Sequence, residues 1–174
     1  MKVSVFFVNA LLLAAAGASA QSNSSINDAQ IASIVVTANQ VDVDAGKLAA
    51  STSTSAEVKK FAQLMVTDHT GVNKQAGALV TKLKVTPEPN DTSKSLKQGG
   101  DANVASLKTL SGAAFDRAYV DHEVAYHQQV IDALDKTLVP SAQNAELKAL
   151  LVKVRPAFVA HLDHAKHVQA GLGK

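Results

Sequence analysis

The sequence predicts an all-α protein built as a four-helix bundle. Three observations carry this. Hydrophobic residues recur at helical spacing along four separate stretches, each leaving a polar opposite face. The composition is 47% hydrophobic but only 4% aromatic, with no Trp, so the core is made of Ala, Val and Leu, which suits close helix packing. Short turns join the first pair and the last pair of stretches, while the connection between the pairs is long.

The first helix is expected over Asp28 to Ser51, with Ile31, Val35, Ala38, Ala45 and Ala49 along its seam. Asp42 falls in the centre of that seam and Asp44 points to the opposite side. Ala45, Gly46 and Ala49 are small enough to let a neighbouring helix come close. Thr52 to Ser55 is a turn, and Thr54-Ser55-Ala56-Glu57 reads as a capping box that starts the second helix. That helix runs to about Lys84 on a seam of Val58, Ala62, Met65, Val66, Val72, Ala76, Val80 and Leu83. His69 stands in the middle of the seam, with Asp68 at its edge.

Val85 to Lys94, with Pro87, Pro89, Asn90 and Asp91, is a break and a loop. Ser95 to Leu110 is weakly helical and interrupted at Gly99-Gly100, a short extra helix within the crossover. Ser111 to Leu138 is the most distinctive stretch, a long amphipathic helix with His127 on its apolar seam. Val120, Val124, Ile131, Leu134 and Leu138 lie within roughly 60° of His127, and Glu123 is one turn before it on the same face. Asp121 and His122 point roughly 110° or more away, toward water. Pro140 ends the segment, and Asn144 caps a last helix from Ala145 to about Ala170. Its seam is Leu147, Leu150, Val154, Ala157, Phe158, Ala165 and Val168, with His161 central, His164 about 60° off and Pro156 placed to kink or break it. Two hairpins joined by one crossover is ferritin-like connectivity, distinct from a simple up-down-up-down bundle.

Each of the four helices therefore carries one ionisable group in mid-seam: Asp42, His69, His127 and His161, with Glu123 and His164 flanking. If the seams share one core, three imidazoles and a carboxylate converge, a donor set that suits a divalent transition metal such as iron, manganese, zinc or copper. The alternative is a polar core without metal, in which pairs such as Asp42 with His69 satisfy each other. Counting from the turns puts Asp42 and His69 nearly level, but leaves His161 roughly 7 Å out of level with His127 at 1.5 Å per residue. His122 and His167 are read as solvated, Arg117 with Asp121 as a surface i,i+4 pair, and Tyr119 and Tyr126 as core-edge packing.

The first 20 residues read as a cleavable signal peptide: Lys2, the apolar run Val3 to Ala16, then Ala18-Ser19-Ala20 as the cleavage site. The run is shorter than the roughly 20 residues needed to span a bilayer. A polar leader, 21–27, and one helical domain, 28–170, follow, and the expected location is the periplasm or the exterior. Removing Lys2 leaves a net charge of +1, and with no basic cluster nucleic acid is rejected as a partner. An envelope protein or a second copy of the chain remains open as a partner. With no cysteine, thiol catalysis and Cys-type zinc sites are excluded. No G-x-S-x-G, H-E-x-x-H or phosphate-loop motif is present, and no catalytic residue or reaction is assigned.

Three stretches carry a family resemblance: Asn39 to Ala49 (NQVDVDAGKLA), Val58-Lys59-Lys60-Phe61-Ala62 with Met65-Val66-Thr67-Asp68-His69, and Leu110 to Asp121 (LSGAAFDRAYVD). With His127 and the Pro156…His161-Leu162 stretch, they resemble the bacterial exported family called domain of unknown function 4142, usually placed with ferritin-like folds. The likeness covers about residues 28 to 168. The family's acidic residue in the first helix falls here on Asp42, with Asp44 also matching, and its histidines fall on His69, His127 and His161. The resemblance implies fold and location rather than a reaction. The pattern departs from ferritin di-iron sites, which use Glu-x-x-His at i,i+3, because Glu123 and His127 are four apart. A single-metal site is the expectation that follows.

Overall fold

A computed structural model describes residues 26–172, and among these the only regular structure is helical. The expected signal peptide and most of the leader lie outside the described residues. Five helices are present: α1 (Asp28–Thr52), α2 (Ala56–Leu83), α3 (Asp91–Leu107), α4 (Gly112–Ala133) and α5 (Ala145–Gly171). A π-helical segment, Leu134–Leu138, and one further turn, Val139–Ser141, extend α4. The hairpins α1–α2 and α4–α5 form the bundle, and α3 crosses between them, packed on α1 and touching α4. None of the described helices is long and apolar enough to cross a membrane.

The helix starts follow local chemistry. Asn27 caps α1 by accepting from the Gln30 amide at 2.8 Å while the Gln30 side chain accepts from the Asn27 amide, so the leader's last residue belongs to the helix start. Ser55 alone caps α2, accepting from the Val58 amide, in place of the expected capping box with Glu57. Asn144 caps α5 as expected, accepting from the amides of Glu146 and Leu147. Asp28 ties both ends together, its carboxylate accepting from the Gln143 and Asn144 amides at 2.9 and 2.8 Å.

Four expectations are corrected. First, α3 starts at Asp91, capped by Asn90, and runs unbroken through Gly99-Gly100. A Cβ at Gly100 would lie 2.6 Å from the Val41 Cγ2, so this glycine permits close approach to α1, and packing outweighs its poor propensity. Second, Pro140 does not end its segment at Leu138. It falls in the first turn after the π segment, where its missing N–H is not needed. Third, Pro156 sits inside an unbroken α5, on the exposed face, where water can satisfy the carbonyl its ring leaves unpaired. Fourth, the α5 seam also includes Leu151, fully buried, beside the half-buried Leu150, which packs on the same lobe, while Ala157 faces outward. The α1–α2 approach is as expected: a Cβ at Gly46 would meet the Ala62 carbonyl at 3.0 Å.

The apolar core is divided in two. One lobe gathers Ile31, Val72, Ile131, Leu151 and Phe158; the other gathers Ala49, Phe61, Met65, Phe115 and Val168. Along every long helix the polar seam residues fall between the two lobes. A layer of ionisable groups thus crosses the middle of the bundle.

Candidate metal centre

His69 and His127 are fully buried, His161 is 5% exposed, and Asp42 and Glu123 are buried with them. The ring centroids of His69, His127 and His161 form a near-equilateral triangle, 5.5, 5.2 and 5.5 Å apart, and one nitrogen from each comes within 4.8 Å of the others. His161 is level with its partners because α4 continues helically to Ser141, three residues past the expected end. That lengthens the α4 arm and removes much of the offset that counting to Leu138 produced.

Hydrogen bonds orient each ring. The Asn39 amide group donates its Nδ2 to the Val35 carbonyl at 2.7 Å, which turns Asn39 Oδ1 toward His69, 2.8 Å from its Nδ1. His69 Nδ1 must then donate, leaving Nε2 with a lone pair. His127 Nδ1 donates to the Glu123 backbone carbonyl at 3.0 Å, which again leaves Nε2 bare. His161 Nε2 donates to Asp68 Oδ2 at 2.9 Å, so its free nitrogen is Nδ1. The three free nitrogens are all buried and all lack a hydrogen-bond partner. Burial, and then the neighbouring imidazoles, hold His69 well below the usual histidine range. Burial also lowers His161 and outweighs the opposing pull of Asp68. Burial thus favours the neutral form of His69 and His161, and each of the three rings keeps one buried nitrogen without a partner. Phe158 closes one side, its ring 5.2 Å from His69 and 6.2 Å from the other two.

The carboxylates stand on the other side of the rings. Asp42 Oδ2 is 3.5 Å from His69 Nδ1, and Glu123 Oε2 is 3.4 Å from His127 Nδ1. Asp42, Glu123 and His127 form a second convergent group, again within 4.8 Å. Burial first, and Glu123 beside it second, raise the Asp42 carboxyl well above the usual carboxylate range. Tyr119 is fully buried with its hydroxyl unpartnered, and burial followed by Glu123 and Asp42 raises it as well. Tyr126 donates to the Ala38 carbonyl at 3.1 Å. Both tyrosines are inside the core rather than at its edge.

Of the six residues singled out from sequence, the structure brings five into this layer. Asp42 does not share a convergent group with all three histidines; it joins Glu123 and His127. His164 stands apart, half-buried, edge-on to Phe61 at 5.1 Å. His122 is not solvated as expected: it is half-buried, stacked on Tyr126 at 5.5 Å, and lowered by burial. His167 is exposed. Arg117 bonds the Leu172 carbonyl and Asp121 bonds Gln169, so their expected pair is not formed. Sequence reasoning missed Asn39 and left Asp68 without a role. Asn39 lies one turn before Asp42, and a polar residue there, at the margin of an apolar seam, was the available signal.

The donor chemistry fits a metal. Three imidazoles, each anchored through one nitrogen by a carbonyl or carboxylate oxygen with the other left free, is how protein histidines are prepared as ligands. Fold and centre together define the class: an all-α bundle whose buried histidines and carboxylates could hold a metal ion. The chain belongs to the family described as Domain of unknown function (DUF4142), whose family model matches residues 13–168. No curated protein and no solved structure matches it.

Proposed function

We propose that this is an exported bacterial envelope protein that binds one divalent transition metal through His69 Nε2, His127 Nε2 and His161 Nδ1. The observation that carries the reading is the orientation of the three rings. Each uses one nitrogen on a protein acceptor and leaves the other buried without a partner, and the three rings stand within 5.5 Å of one another. A buried polar atom left unmatched costs about 1–3 kcal/mol, so three in one place is an expensive arrangement for a core that holds no cation. An all-nitrogen set favours zinc or copper, and accommodates iron, over manganese. A bound metal with a position left open supplies Lewis acidity there. Asp42 and Glu123, behind the rings, set the charge around the centre. Export rests on the signal-like residues 1–20.

The test is elemental analysis of the full chain purified from its own compartment without chelator or affinity histidines, beside His69→Ala/His127→Ala. Near-stoichiometric metal that is lost in the double variant is expected, with the mature chain beginning at Gln21. A well-folded wild type without metal, and without a thermal shift on adding iron, manganese, zinc or copper, would overturn the metal reading. The layer would then be a hydrogen-bonded polar core that fixes helix register. A mature chain still beginning at Met1 would overturn export.

A further inference from the structure

We infer that a two-part pocket beside the histidine layer is a binding site for a small, uncharged, hydroxyl-bearing apolar molecule, of the phenol class. Its inner part is an apolar cavity of about 280 Å³ between α1, α3, α4, the π segment and α5, walled by Val35, Leu96, Val130, Leu134, Leu138 and Val154. Its outer part is an open cleft of about 530 Å³ under α3, mostly apolar but with Asp91, Ser95 and His122 on its walls. Thr92, Leu96, Tyr126 and Gln129 line both parts, so the two share a wall at the mouth of the cavity.

Size and polarity select the ligand class. A dry apolar cavity of about 150 Å³ holds a benzene, so in proportion 280 Å³ suits about eleven non-hydrogen atoms. Among the described residues, neither part is lined by a Lys or Arg, so nothing there neutralises a carboxylate or phosphate. At the shared rim the hydrogen-bonding side chains are the neutral Gln129 and Thr92; farther out stand His122, whose Nδ1 is buried without a partner, and the carboxylate of Asp91, which disfavours an anion. They match a hydroxyl at the end of an apolar body. The π segment gives independent support: Leu134, Thr137 and Leu138, all lining residues, belong to it, and such insertions in helices often mark functional sites. The inner end abuts the metal centre, because Asn39 and Phe158 line the cavity and also contact His69. Ligand binding at this pocket does not need a metal to be bound.

The test titrates the full mature chain with 1-naphthol and, separately, with 1-naphthoate, followed by calorimetry and by methyl NMR. Saturable one-to-one binding of 1-naphthol is expected, with shifts centred on Val130, Leu134 and Leu138, and at least tenfold weaker binding of 1-naphthoate. Ala133→Phe and Thr137→Phe, which fill the inner cavity from two sides, each weaken 1-naphthol at least tenfold while leaving zinc binding unchanged. His122→Phe weakens 1-naphthol at least threefold and leaves naphthalene unaffected. No saturable binding of 1-naphthol, equal binding of 1-naphthoate, or shifts away from those methyls would overturn the assignment. Because the shifts are read on the unaltered chain, misfolding of a variant does not blunt the test.

Discussion

Adjacent glycines in α3 should respond to the same substitution in opposite ways. At Gly99 an added Cβ meets nothing within 4 Å, whereas at Gly100 it would stand 2.6 and 2.9 Å from the two Val41 methyls. Both residues lie inside a helix, so each alanine recovers about 1 kcal/mol of helix propensity. Gly99→Ala keeps that gain. Gly100→Ala adds an overpacking penalty of about 1–3 kcal/mol, because Val41 is buried on α1 and cannot swing away. The two variants should therefore differ by about 1–3 kcal/mol, with Gly99→Ala the more stable. At roughly 3–4 °C per kcal/mol for a chain of this length, the gap in Tm is about 3–12 °C. Trimming the obstacle should reverse the penalty: in Gly100→Ala/Val41→Ala the new methyl occupies the space of the lost ones, giving a favourable coupling of about 0.5–3 kcal/mol. Thermal melts and urea titrations of the wild type, the three single variants and the double variant measure this. Equal stabilisation by both alanines, or zero coupling with Val41→Ala, would show that α3 is not pressed against α1 at this point. The cleft under α3, which Gly100 lines, would then not have the volume given above.

The buried ionisable groups give a pH signature. His69 and His161 are lowered in the folded state, so the unfolded chain takes up their protons first, and stability is lost as pH falls below about 6.5, by at most about 1.4 kcal/mol per unit for each. Asp42 is raised, so its folded form keeps a proton that the unfolded chain releases above about 3.8, and its contribution fades as pH rises through its folded value. The two effects oppose each other. Asp42→Asn should make the acid loss steeper in urea midpoints measured between pH 7.5 and 5, and an unchanged slope would contradict a protonated Asp42. Removing the orienting acceptors, by Asn39→Leu for His69 or Asp68→Leu for His161, should weaken zinc about 10–100-fold in chelator competition, and full affinity in both would sink their assigned role. Asn144→Ala removes the α5 cap and should cost about 1 kcal/mol; a melt within error of wild type would show the cap is dispensable.

Much of the histidine layer was legible because helical period alone places residues on a seam, and a seam in a bundle points inward. Asp42, His69, Glu123, His127 and His161 were found that way, and all are buried. Their partners were not legible, because Asn39 and Asp68 meet His69 and His161 across helices, at sequence separations of 30 and 93 residues. Counting from Pro140 as a stop puts His161 out of level, whereas the helix continues through it to Ser141. Proline is a stop only where its missing N–H is needed, and after a π segment it opens a new turn. Gly99-Gly100 was taken as an interruption, since propensity cannot register a helix packed close enough to demand glycine.

By itself, then, the sequence determined the helices, the two hairpins, the crossover and the polar layer in the seams. These follow from hydrophobic period, caps and turn residues, which act over a few neighbouring positions. Only the tertiary structure decided which nitrogen of each imidazole is left free, that Asp42 and Glu123 gather with His127, and that a pocket opens under α3. Those depend on contacts between residues far apart in the chain, on distances set by helix packing, and on which polar atoms are left without a partner once water is excluded.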